Sequence, residues 1–101
     1  MALASENIQV LRLTQAMIGS VSPNFRRVTL ETKAPDAISL RFLLENDDPK
    51  DREEIGEIAF EFEALQEADI DIDVTVVADP RPIEQVTVPG RIVYGRREDE
   101  G

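Results

Sequence analysis

Two alternating apolar runs flank a four-residue turn signal, and no other feature of the chain limits its fold so strongly. In residues 24–32, Val28, Leu30 and Thr32 point one way together with Arg26. Phe25, Arg27, Thr29 and Glu31 point the other way. Lys33, Ala34, Pro35 and Asp36 follow, a composition that favours a turn. In residues 37–45, Ile38, Leu40, Phe42 and Leu44 again share a face, opposite Ser39, Arg41 and Leu43. A period of two side chains belongs to a half-buried strand, so the pair predicts a β-hairpin. Its apolar face needs cover from elsewhere in the chain.

The cover is visible as a change of period. Ile55, Ile58, Ala59, Phe62 and Leu65 follow the spacing of one helical face. Asp48 is suited to cap that helix and Pro49 to occupy its first position. Gly56 lies inside it and costs about 1 kcal/mol relative to alanine. It reads either as tolerated sequence or as the close approach of a neighbouring backbone. A second helix is predicted over residues 7–21, started by Ser5 or Asn7. Val10, Leu13, Met17 and Val21 form its apolar face and Leu11 and Ile18 flank it, before Ser22 and Pro23 end it. Residues 70–77 alternate once more, with Ile70, Ile72, Val74 and Val76 inward and Asp71, Asp73, Thr75 and Val77 outward. Residues 79–90 hold Pro80, Pro82 and Pro89 and read as a long loop. Residues 91–97 read as a last strand, with either Ile92 and Tyr94 or Val93 inward.

The order α-β-β-α-β-β, with one apolar face per element, predicts a two-layer α+β fold. Both helices cover one face of a mainly antiparallel four-stranded sheet. At 101 residues the chain is expected to be one domain spanning residues 1–101, with residues 97–101 frayed. The other sheet face would be open. Phe25, Leu43 and Val77 on it would then be a self-association surface, and a homodimer would be its simplest product.

Charge narrows the function. Residues 45–73 hold thirteen acidic residues against Lys50 and Arg52, a net −11 in a chain whose total is −10. Such a field repels nucleic acid and anionic membranes and speeds encounter with basic proteins. Solubility alone is the plainer explanation of the same run. The chain has no histidine and no cysteine, which removes the commonest general base, the imidazole metal ligand, thiolate sites and disulfides. Asp69, Asp71 and Asp73 imitate the start of a calcium loop, but Val74 stands where glycine is required and Pro80 where the closing glutamate belongs. Glu53, Glu57 and Glu61, four residues apart, form a carboxylate row with no histidine to complete a metal site. No phosphate-binding glycine loop or nucleophile–base pair is present, so no enzyme and no cofactor is expected. Residues 1–5 lack a signal-peptide pattern, and no apolar run approaches the roughly 18–20 residues that span a bilayer, so the expected location is cytoplasmic.

Three segments carry a family likeness: LTQAMIGSVSPNFRRVTLE (residues 13–31), DDPKDREEIGEIAFEF (residues 47–62) and GRIVYGRRE (residues 90–98). In them Ile18-Gly19 precedes Ser22-Pro23-Asn24, and Val93-Tyr94 precedes Arg96-Arg97-Glu98. The chain resembles small acidic immunity-type proteins of bacterial contact-dependent and polymorphic toxin systems. The resemblance implies a non-catalytic inhibitor that binds and neutralises a cognate toxin domain. The charge suggests that this partner is basic. Glu53, Glu57 and Glu61 are the expected contact surface, with Asp71 and Asp73 next.

Overall fold

The computed structural model describes residues 2–98, with side chains from residue 6 onward. Its elements are α1 (Ala2–Met17), β1 (Phe25–Ala34), β2 (Ala37–Leu44), α2 (Pro49–Ala64), β3 (Asp71–Ala78) and β4 (Arg91–Gly95). A single 3₁₀ turn, Ile83–Gln85, interrupts the connection before β4. The expected fold class holds. Leu13, Ala16 and Met17 of α1 and Ile55, Ile58 and Phe62 of α2 enter the same core as Val28, Leu30, Ile38, Leu40, Phe42 and Leu44, so both helices lie on one sheet face.

The strand order is β3-β2-β1-β4. The hairpin strands β1 and β2 take the middle, where both their edges are paired. They are antiparallel, β1–β4 is antiparallel, and β2–β3 is parallel over eight consecutive residue pairs. The sheet is therefore mixed. The parallel pair follows from α2: a helix between adjacent strands carries the chain back to the end where β2 began. The α2 N-terminus is capped as expected, with Asp48 Oδ1 accepting from the amides of Lys50 at 2.8 Å and Asp51 at 3.2 Å. Such a cap contributes about 1 kcal/mol. Helix α1 starts and ends earlier than its apolar pattern predicted. Val21 packs on the core from beyond the helix, while Leu11 and Ile18 are 69 % and 77 % exposed.

Two further expectations are corrected. Strict alternation predicts Phe25 on the open face, and it is fully buried among the helix-facing residues, edge-on to Phe42 at 6.3 Å. The same alternation predicts Arg26 with the core residues, and it lies on the opposite face, against the carbonyls of Asp79 and Arg81. A bulge is the cause: Phe25 is opposite Leu44 and Arg27 is opposite Leu43, so one extra residue, Arg26, reverses the alternation.

The face opposite the helices is also not open. Residues 79–90 cross it from the end of β3 to the start of β4, bringing Val86 into burial, and Leu43, Thr29 and Ser39 are buried on this side. Buried Arg26 holds one end of this strap, donating from Nη1 to the carbonyls of Asp79 at 2.7 Å and Arg81 at 2.6 Å. Thr29 holds the other, its hydroxyl donating to the Pro89 carbonyl at 2.7 Å. Leu43 therefore cannot serve a self-association surface, and of the three residues expected there only Val77 stays exposed, at 39 %.

Candidate functional site

Charge is distributed unequally between the two edges of the sheet. On the β4 side almost every charged group has an internal partner. Arg26 Nη2 meets Glu98 Oε1 at 3.0 Å, and Arg96 meets Glu98 at 3.2 Å and Glu45 at 2.9 Å. Arg91 reaches α1, donating to Asn7 Oδ1 at 2.7 Å and Glu6 Oε1 at 3.2 Å. The guanidiniums of Arg26 and then Arg96 hold the Glu98 carboxyl down at about 2, far below its usual 4.5. Asp79, clasped by the Arg81 side chain and amide, is likewise lowered to about 2. Of residues 97–101, where fraying is expected, Glu98 is held by these pairs and residues 99–101 lie outside the described residues.

On the α2–β3 side the carboxylates have no such partners. Among the described residues, Glu53, Glu54, Glu57, Glu61, Glu63, Asp69, Asp71 and Asp73 take part in none of the ion pairs, while Arg52 is turned to Asp47 and Arg12 to Gln66 and Glu67. All except half-buried Glu54 are exposed. Nor do three of them converge as a metal-binding group among the described residues.

The expected contact residues fall into two sets. Glu53, Glu57 and Glu61 project from the solvent side of α2, above the core. Asp71 and Asp73 pair in register with Ala37 and Ser39, on the strap side of the sheet. Between the two sets runs the outer edge of β3. No other strand pairs with that edge among the described residues.

A groove of about 260 Å³ follows this edge, lined by Gly56, Ala59, Phe60, Glu63, Ile72 and Val74. Gly56, Ala59, Phe60 and Glu63 share one row of α2 by their spacing of three, four and seven, and Glu53 extends the row one turn back. Glu57 and Glu61 fall on the next row, away from β3. An added Cβ at Gly56 would meet nothing within 4 Å, so no backbone closes on this glycine. Its missing side chain deepens the groove instead. Phe60, 72 % exposed, is the residue that sequence reasoning passed over. Its signal was there: it is the one aromatic on the polar side of α2, two residues from the buried Phe62.

A family model described as MafI2 immunity protein matches residues 7–98 of the chain. No curated protein matches it. The matched span takes in every described element apart from the first turns of α1. No helix of the described residues is long and apolar enough to cross a membrane.

Proposed function

The chain belongs to the MafI2 immunity protein family, and from that premise we propose that it is a non-catalytic inhibitor that binds a basic cognate toxin domain through the acidic α2–β3 side. The family supplies the toxin-neutralising role. The basic character of the partner is argued from charge. The carrying observation is that Glu53, Glu57, Glu61, Glu63, Asp69, Asp71 and Asp73 are exposed and take part in none of the ion pairs among the described residues, whereas Glu45 and Glu98 on the β4 side are held by internal arginines. Carboxylates kept free at this density raise the on-rate of a cationic partner by an order of magnitude or more at low salt.

Glu53, Glu57 and Glu61 steer the approach from above the helix layer, and Asp71 and Asp73 from the far face of the sheet. No acid–base role is assigned to any of them. The proposal takes the chain to act in the cytoplasm, on a toxin domain that reaches the same compartment.

The test is co-expression with toxin domains of the polymorphic systems in which immunity proteins of this family occur, read as rescue of growth, followed by association kinetics with the toxin that is neutralised. The double reversal Glu57→Lys with Glu61→Lys is expected to slow association about tenfold at low salt, to lose that effect as salt rises, and to leave the fold intact. Unchanged kinetics would remove the α2 carboxylates from the account. Failure to rescue growth against every such toxin would remove the inhibitor itself.

A further inference from the structure

We infer that the outer edge of β3 is a docking edge that receives an extended segment of the toxin partner, one that alternates apolar and basic residues. This rests on the inhibitor reading above and adds to it the part of this chain used and the backbone conformation and side-chain pattern of what it binds.

Hydrogen-bonding capacity is the first argument. Strand β3 pairs with β2 from Asp71 to Ala78 without a single irregularity. The Asp71 amide donates inward to the Asp36 carbonyl at 2.7 Å, and the Asp79 amide donates inward to Leu44 at 2.9 Å. Successive amides of a strand alternate in direction. The amides of Asp71, Asp73, Thr75, Val77 and Asp79 therefore serve β2. Those of Ile72, Val74, Val76 and Ala78 point away from the sheet, as do their carbonyls. An exposed edge of this length is a template for another strand, and proteins usually blunt it with charged side chains, a proline, a bulge or a cover; here Asp71 and Asp73 are the charges, which repel an anionic strand and admit a cationic one. Residues 71–78 contain no proline and no bulge, and the strap leaves from the end of the strand rather than along it.

Side chains supply the second argument. An added strand would present alternate residues to the two faces of the sheet. Those on the helix side would meet the groove of Gly56, Phe60 and Val74, which takes an apolar side chain, with Glu63 at its wall. Those on the other side would meet Asp71 and Asp73, which take lysine or arginine. The groove and the aspartates lie on opposite faces of one strand, and only a ligand that also alternates satisfies both.

Charge decides against a second copy of this chain as the occupant. Pairing two β3 edges would bring together two chains of net charge −10, each carrying Asp71 and Asp73 at the junction. A cationic segment gains from every one of the same charges.

The experiment uses the full chain and the toxin domain that it neutralises in the co-expression assay, followed by amide hydrogen exchange residue by residue. Formation of the complex is expected to slow exchange at Ile72, Val74, Val76 and Ala78 at least tenfold, while the inward amides of Asp73, Thr75 and Val77, already held by β2, change little. Gly56→Gln, which fills the groove with a good helix former, is expected to weaken binding about tenfold without lowering Tm. Val74→Pro removes one outward donor at a position where an edge strand tolerates proline, and should weaken binding similarly. Ile92→Thr, on the opposite edge, should leave affinity unchanged. A stable complex in which the four outward amides exchange as in the free chain, or which tolerates Gly56→Gln, overturns the docking edge while leaving the inhibitor reading standing. Absence of any neutralised toxin overturns both.

Discussion

The two edge strands of this sheet have opposite fates. Strand β4 is five residues long, carries a register shift against β1, and is held by Arg91 to α1 and by the adjoining Arg96 to Pro23, Glu45 and Glu98. Strand β3 is eight residues long, regular, mostly exposed and flanked by carboxylates without partners. One edge spends its charges on its own fold and the other keeps them. The lesson is that the net charge of a chain says little about where it acts. What matters is which charges remain after internal pairing, and here most of the acidic ones that do so lie on the α2–β3 side.

The largest way to break this contrast is to remove the arginine that anchors the closed side. Arg26→Ala would leave Glu98 to Arg96 alone and strip the carbonyls of Asp79 and Arg81 of their buried donor. A loss of about 2–4 kcal/mol is expected in chemical denaturation, from two buried carbonyls left without their charged donor. A loss under about 1 kcal/mol would show that the strap is held by Leu43 and Val86 instead.

Acid tests the same cluster. Because its folded-state titration lies at about 2 against a usual 4.5, Glu98 adds stability above about pH 4.5 and loses it as pH falls toward 2. The stability gap between the native chain and Glu98→Gln should therefore close over that window. A gap that stays constant from pH 5 to pH 2 would mean the carboxylate charge is not what Arg26 and Arg96 respond to.

On the open side the effect moves from stability to binding. Asp71→Lys with Asp73→Lys is expected to slow toxin association about tenfold at low salt, equivalent to about 1.4 kcal/mol, with Tm unchanged or raised. An equal loss on adding lysines beside β4 would erase the distinction between the edges. The smallest expected effect is at Gly56: Gly56→Ala should stabilise the chain by about 0.5–1 kcal/mol, since the glycine is helical and a Cβ there meets nothing within 4 Å. A destabilised variant would mean that α2 sits closer to β3 than the groove implies.

Much of this was legible in advance. The patterns found both α-helices and all four strands, with α1 set too late in the chain and the 3₁₀ turn unseen, because a side-chain period of two or of 3.6 is a local property that survives any tertiary arrangement. The helix cap at Asp48, the acidic helix and the family likeness needed no coordinates. What periodicity misplaced was Phe25 and Arg26, because one bulged residue inverts all that precedes it and leaves no mark in an alternating pattern. Leu43 read as exposed because the sheet face was counted before the loop of residues 79–90 was known to cover it. Phe60 gave no signal in the apolar spacing, because its place on α2 breaks that spacing.

By itself the sequence determined the two helices, the central hairpin, the two-layer α+β class and the sign of the surface field. Each depends on residues near one another in the chain or on a sum over it. Only the tertiary structure decided which strand lies at each edge, which carboxylates are left unpaired and which apolar residues stay in water. Those outcomes depend on meetings such as Arg26 with Glu98 and Thr29 with Pro89, between residues 60 or more apart in sequence. No local pattern encodes such a meeting, because its free energy exists only once the chain has closed around it.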